Sequence, residues 1–237
     1  MAYFKYLVLI FACAAYVYGG PVVQKCKAGD GKCAKESAQA VLKFFAEGFA
    51  EYGMEALDPV VIKKTDASSQ SLKLIITDYT VTGLKECTIK KAKFDKPNSK
   101  ILVKLLCSPK LEGDYEMDGK LLILPLEGKG PIHVQLRDLE VSVEMNLEEI
   151  EKDGLKYWNI KNSRHSYELK DKADVVFDNL FGGNEVLGKA ARDVIKESGN
   201  EIVREVGSPA ISDILDVVIE NINQFFHHVP ISELTFD

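Results

Sequence analysis

Apolar residues along this chain change their spacing twice. After Cys33, Val41, Phe44, Phe45, Phe49 and Tyr52 recur at threes and fours, which predicts an amphipathic helix running to about residue 53, with Asp58-Pro59 ending the helix or its connector. From residue 60 to about 169 the texture is that of short strands. Leu72, Leu74 and Ile76 alternate with Lys73 and Ile75; Ile101-Leu102-Val103 and Leu105-Leu106 follow the turn-like Lys96-Pro97-Asn98. Met117-Asp118-Gly119-Lys120 gives way to the run Leu121-Leu122-Ile123-Leu124-Pro125-Leu126. Further strands are expected at Val134 and Leu136, at Val141, Val143, Met145 and Leu147, at Tyr157-Trp158-Asn159-Ile160 and at His165-Ser166-Tyr167-Glu168-Leu169. Glu127-Gly128-Lys129-Gly130-Pro131 and Asp153-Gly154 read as turns between them. Short consecutive strands joined by tight turns predict an antiparallel meander, because parallel crossovers need longer connections.

From about Val175 the spacing returns to helical. In the last stretch Ser208 is placed to cap and Pro209 to open a helix, and Ile211, Leu215, Val218, Ile222 and Phe225 follow at intervals of 4, 3, 4 and 3. Ile214, Ile219 and Phe226 widen that stripe. Residues 209–228 would make about 30 Å of helix, apolar enough on one face to lie deep against a sheet. Helix, long antiparallel sheet, helices is an α+β architecture. Several strands, the 121–124 run above all, are apolar on both faces, although a sheet covered on one side needs only alternate apolar positions. The surplus serves either a second packing layer or interface, or a sheet curled round the helices with inner wall left over to line a cavity.

The first residues bear on the compartment. Lys5, then Leu7-Val8-Leu9-Ile10-Phe11-Ala12-Cys13-Ala14-Ala15, then Gly19-Gly20 describe a secretory signal peptide over residues 1–20, too short in its apolar core for a spanning helix. Residues 21–237 are then expected as one mature domain with no stable membrane insertion. Without Lys5 the basic count falls from 30 to 29 against 36 acids, a net charge near −7. Such a surface repels phosphate backbones and anionic headgroups, so no nucleic-acid partner is expected; Lys90-Lys91, Lys93, Lys96 and Lys100 read as a solvated strand face.

Cys13 leaves with the leader, and Cys26, Cys33, Cys87 and Cys107 remain. An even count in an exported chain predicts two disulfides with three possible connectivities. Sequence order favours Cys26–Cys33 across a glycine-rich segment. Cys87 and Cys107 are equidistant from Pro97, so a hairpin centred there sets them opposite each other, with Ile89 opposite Leu105. Lys91 would then face Val103, which calls for a bulge or a looser loop, and two free buried thiols are the alternative for this pair. No histidine lies at ligand spacing from any cysteine, so no metal is expected.

No enzyme chemistry is assembled in the sequence. His227 and His228 are adjacent, cannot share a helix face and sit where a helix dipole favours them; His133 and His165 stand alone. No Gly-x-Ser-x-Gly elbow occurs, and Gly128-Lys129-Gly130 lacks the helix of a phosphate-binding loop. Glu148-Glu149-Ile150-Glu151 reads as a solvated edge rather than a calcium site. Neither catalytic residues nor a cofactor are expected.

Over Gly113-Asp114-Tyr115-Glu116-Met117-Asp118-Gly119-Lys120-Leu121-Leu122-Ile123-Leu124-Pro125-Leu126-Glu127-Gly128-Lys129-Gly130 the chain resembles the insect takeout and juvenile-hormone-binding family. The pair Cys26-x6-Cys33, Leu57-Asp58-Pro59-Val60, Phe177-Asp178-Asn179-Leu180-Phe181-Gly182-Gly183-Asn184 and the ending Phe226-His227-His228-Val229-Pro230 follow that family's pattern in order. Ile195-Lys196-Glu197-Ser198-Gly199-Asn200 and the Cys87, Cys107 pair depart from true hormone binders and point to the broader takeout group. The resemblance implies a strongly curved antiparallel sheet wrapped around a long C-terminal helix, an elongated apolar tunnel, and a monomeric haemolymph carrier of a juvenile-hormone-like terpenoid, fatty acid or other lipid, associated with circadian output. Inward candidates for the wall are Tyr115, Met117, Leu121, Ile123, Val141, Val143, Met145 and Trp158 from the sheet. Phe45, Phe49, Phe181, Val218, Ile222 and Phe225 are the candidates from the helices. The rival reading is a secreted signalling protein whose apolar surplus meets a protein partner; a lipid hydrolase comes third.

Overall fold

The structure, a computed structural model, describes residues 23–236. The expected signal peptide lies outside them. Helix α1 (Gly31–Glu47) starts where the Asp30 carboxylate accepts from the Cys33 N–H at 3.0 Å. It stops at Gly48, six residues short of where the apolar spacing suggested, and a single 3-10 turn over Ala50–Tyr52 carries Phe49 and Tyr52 onward.

Among the described residues nine antiparallel strands follow: β1 (Val60–Asp66), β2 (Leu72–Thr82), β3 (Thr88–Asp95), β4 (Lys100–Cys107), β5 (Lys110–Leu121), β6 (Leu124–Leu136), β7 (Leu139–Lys152), β8 (Leu155–Leu169) and β9 (Ala173–Phe177). Hydrogen bonding divides them into a sheet ordered β1-β2-β5-β6-β9 and another ordered β3-β4-β7-β8. Helices α2 (Glu185–Glu197), α3 (Gly199–Val206), α4 (Ser208–His228) and α5 (Ile231–Leu234) complete the chain. Among the described residues no helix is long and apolar enough to cross a membrane. Helix α4 packs against both β1 and β8, an edge of each sheet. The α+β layout is therefore a curved, open antiparallel surface with the C-terminal helix held in its concavity.

The β3–β4 hairpin shows how local chemistry sets this surface. It turns through Lys96–Asn98, with Ser99 at φ +49°. Ile89 lies opposite Leu105, and the register then shifts so that Lys91 meets Lys104 and Ala92 meets Val103. That bulge sets Ala92, rather than Lys91, opposite the inward Val103. Cys87 and Cys107 are bonded across the base of the hairpin with Cα atoms 4.4 Å apart, and Cys26 is bonded to Cys33.

Four expectations are corrected. The run after Gly119 is no continuous strand: β5 and β6 meet with Leu121 opposite Leu124, so Leu122 (φ +53°) and Ile123 form the two-residue turn. Conversely, the stretch 127–131, read as a turn, is the middle of β6. Its glycines answer to packing: a Cβ on Gly128 would lie 2.5 Å from the Tyr115 hydroxyl and 3.2 Å from Leu180 Cα, and one on Gly130 would lie 3.1 Å from the Asp178 carbonyl. The segment after β9 crosses β6 there, and Tyr115 donates to the Asp178 carbonyl at 2.7 Å. Finally, residues 173–177 form strand β9 rather than the start of helical structure; Ala173, Val175 and Phe177 are buried at alternate positions, and helix resumes at Glu185. Ser208 does not cap either: Gly207 precedes α4 in helical geometry, so α3 runs almost directly into it.

Polar side chains fasten α4 near both ends. Asp213 accepts from Thr65 on β1, and Thr65 shares a 2.8 Å bond with the fully buried Tyr79 hydroxyl, which burial holds above its ordinary pKa. Asn221, itself buried, grips the Glu55 backbone twice, accepting from its N–H at 3.2 Å and donating to its carbonyl at 2.6 Å. Asn223 accepts from the Ile160 N–H at 2.8 Å, and His227 bonds Asn159 at 2.8 Å.

Candidate functional site

The space between α1, α4 and the four-stranded sheet is not packed solid. A cavity of about 330 Å³ remains there, within the range of small-molecule sites. Strand β4 contributes Ile101, Val103 and Leu105, directly opposite Met145, Val143 and Val141 on β7. Ala92 and Phe94 of β3 and Trp158 of β8 extend this wall, and α1 adds Val41 and Phe45. The facing wall is α4, through Ile214, Leu215, Val218, Ile219, Ile222 and Phe225.

Residual exposure along these elements has a physical cause. Ile101, Val103 and Leu105 alternate inward on β4, yet all three are only partly buried, as are Val218, Ile219 and Ile222 on α4. Their uncovered surface faces the cavity, where no side chain completes the packing. The aromatic end is closed more tightly: Phe45 meets Phe225 at 5.4 Å, and Trp158 stands between Phe94 at 4.9 Å and Phe226 at 5.4 Å. A second cavity of about 80 Å³ lies between the five-stranded sheet, α3 and the start of α4. Val81, Pro109, Leu136, Ile211 and Ile214 border both spaces.

Apart from the exposed residues Gln24, Lys27 and Lys93 on its border, the wall has little to offer a polar ligand. Ser37 already donates to the Gln24 carbonyl at 3.0 Å, and Thr235 to the Cys26 carbonyl at 2.9 Å. Among the described residues no group of three or more His, Cys, Asp or Glu side chains gathers as metal ligands. What the arrangement can do is shelter apolar surface from water, with an occupant's orientation set by shape.

Of the proposed wall residues, Phe45, Val141, Val143, Met145, Trp158, Val218, Ile222 and Phe225 border the large cavity. The others do not. Tyr115, Met117 and Leu121 are buried in the five-stranded sheet, where Tyr115 packs on Phe177 at 4.8 Å and burial, with Asp178 nearby, pushes its hydroxyl up to about 12. Phe49 packs between Phe44, at a tilt, and Tyr52, edge to face, beyond the end of α1. Phe181 sits in the crossing segment at φ +53°, and Ile123, at the hairpin tip, is 77% exposed rather than inward. Sequence reasoning missed Ile101, Val103 and Leu105. Their strict alternation was visible, but their apposition to β7 spans about 40 residues of chain and left no local sign.

The family profile for haemolymph juvenile hormone binding protein (JHBP) matches residues 6–235, nearly the whole chain. The chain belongs to that family. JHBP relatives include the circadian clock-controlled protein daywake of Drosophila melanogaster, 28% identical over 204 residues that make up 81% of this chain and 78% of daywake. The daywake protein of Drosophila yakuba is 27% identical over the same shares. The crystal structure of Takeout 1 from Epiphyas postvittana superposes with a TM-score of 0.87, covering 91% of this chain and all of its own at 24% identity. That likeness establishes the JHBP-type fold; what occupies the cavity is a separate question.

Proposed function

We propose that this chain is a secreted, monomeric, non-enzymatic carrier that holds one small, predominantly apolar molecule in the space between α1, α4 and the four-stranded sheet. The observation that carries the reading is the roughly 330 Å³ apolar cavity whose inward Ile, Val and Leu side chains stay uncovered. Water gains nothing there, because such a wall gives it too few hydrogen-bond partners. An apolar occupant is stabilised by about 25 cal/mol for each Å² it buries. A terpenoid, a fatty acid or another lipid matches the wall equally well in chemistry. Membership of a family named for binding juvenile hormone supports a ligand-binding role, and the two disulfides and the leader-like first 20 residues support export.

Native mass spectrometry of the secreted protein, followed by denaturation and organic extraction, tests this. A discrete added mass that reappears as a lipophilic molecule in the extract is the expected result. Bare protein that takes up neither added fatty acids nor terpenoids would instead assign the apolar surplus to a protein partner.

A further inference from the structure

Charge is unevenly placed on this molecule. Over the whole chain acids outnumber bases, 36 to 30. Residues 23–47 and 88–95, which form the lead into α1, α1 itself and strand β3, reverse the balance with eight lysines against Asp30, Glu36, Glu47 and Asp95. These elements lie side by side. Helix α1 covers the free edge of β3, where the Gln39 amide stands in for a neighbouring strand by accepting from the Ile89 N–H at 2.7 Å and donating to the Cys87 carbonyl at 3.2 Å. At the other end the Gly29 N–H donates to the Phe94 carbonyl at 3.3 Å. Helix and strand therefore run in opposite directions, which sets Lys32 and Lys35 alongside Lys91 and Lys93.

All eight lysines are exposed, and among the described residues none has an ion-pair partner. The adjoining strands differ: Lys100 pairs with Glu144 at 2.8 Å and Lys104 with Glu140 at 3.0 Å. Two of the four acids are already engaged, Asp30 by the Cys33 N–H and Asp95 by the Asn98 amide. The basic face also adjoins the cavity, whose border includes the exposed residues Gln24 and Lys27. Beside them Phe236 is 65% exposed, its N–H donating to the Cys26 carbonyl and its ring 5.6 Å from the Lys25 ammonium.

We infer that this face docks reversibly on a bilayer surface carrying anionic phospholipid headgroups, and that ligand passes between the bilayer and the cavity there. Lysines near such a surface are attracted individually, and an exposed aromatic ring flanked by lysine suits the headgroup boundary. A soluble polyanion would satisfy the charges but leave Phe236 and the adjoining cavity border without a role. The docking stands on charge and geometry alone; only the transfer step rests on the carrier reading.

The test is flotation of the secreted protein with phosphatidylcholine vesicles, with and without phosphatidylserine, at low and high salt. Partition onto the phosphatidylserine vesicles alone, weakened by salt, is expected. The triple variant K32Q/K35Q/K91Q, three exposed positions outside the cavity lining whose loss leaves the unfolding midpoint in place, should bind roughly 100-fold more weakly, at about fivefold per lysine. Equal partition of the parent and the variant, or of the two vesicle types, overturns the proposal. So does tighter binding to heparin than to the anionic vesicles, which would assign the face to a soluble polyanion. Uptake of a fatty acid in the absence of vesicles should be the same for parent and variant; failure of both to take it up would remove the carrier reading while leaving the vesicle result standing.

Discussion

Val218→Phe separates a ligand cavity from an ordinary core. Val218 lies on the stripe of α4 that faces the four-stranded sheet and is only partly buried because the cavity is beside it. A void of 330 Å³, at about 24 cal/mol per Å³, represents roughly 8 kcal/mol of unrealised packing. Exchanging an isopropyl group for a benzyl group adds about four carbons to that space, worth roughly 3 kcal/mol at 0.8 kcal/mol each. Ordering the longer side chain returns about 1 kcal/mol of this. Ligand-free V218F should therefore be about 2 kcal/mol more stable than the parent, with Tm higher by roughly 4–8 °C. The same ring excludes a comparable length of ligand, so affinity should fall by about 100-fold. Urea unfolding of the delipidated protein reads the first quantity, and displacement of a fluorescent fatty acid reads the second. In a solid core the extra atoms would instead cost about 1–3 kcal/mol through overpacking. A lowered urea midpoint together with undiminished uptake would refute the reasoning.

Other outcomes follow from single contacts. Replacing Cys87 and Cys107 by serine opens a 20-residue loop and should cost about 3 kcal/mol, against about 2 kcal/mol for the seven-residue Cys26–Cys33 loop, read from denaturation midpoints. His133 lies with Nδ1 against Glu112 and Nε2 3.3 Å from Asp178; the bond to Glu112 first, and Asp178 after it, raise its pKa above the ordinary 6.5. The native state then keeps a proton that the unfolded chain releases above pH 6.5, so this stabilisation is complete below that pH and is lost as pH rises through the raised value. H133Q should flatten that part of a Tm-against-pH curve, and an unchanged slope would remove His133 from the account. Gly128→Ala puts a methyl group into the Tyr115 hydroxyl and should break its bond to Asp178, at about 2–3 kcal/mol, seen as a lower Tm. Asn221→Ala strands the Glu55 N–H and carbonyl and should cost about 2 kcal/mol in the same assay.

Much of the fold was legible because its rules are local. The hairpin around Pro97, its bulge beside Lys91 and the opposition of Cys87 to Cys107 all follow from counting outward from one turn. The stripe on α4 follows from helical spacing. Where reading failed, a long-range contact had overridden a local preference. Gly128 and Gly130 look like a turn, but they are small because Tyr115 and the segment after β9 occupy the space a side chain would need. Leu122 and Ile123 look like strand, yet the register of β5 on β6 leaves them as the only two residues that can turn the chain. Half of the wall was hidden for a related reason: whether an inward valine meets another side chain or a void depends on how far apart the opposing elements stand, and residue type does not record that distance.

That separation is set by the polar fastenings of α4. A helix drawn onto a sheet by its apolar stripe alone would settle until the void closed, since filling 330 Å³ is favourable by several kcal/mol. Asp213 on Thr65, Asn221 on the Glu55 backbone, Asn223 on the Ile160 N–H and His227 on Asn159 instead tie it to fixed points near each end. Moving the helix inward would stretch directional bonds, all of them partly buried, and each bond broken would leave a polar group unsatisfied at about 1–3 kcal/mol. Val218 and Ile222 lie in the span between these anchors or beside them, held back from the sheet. The cavity thus persists because the cost of closing it falls on hydrogen bonds at its edges, which gives Asp213, Asn221, Asn223 and His227 a role beyond solvation.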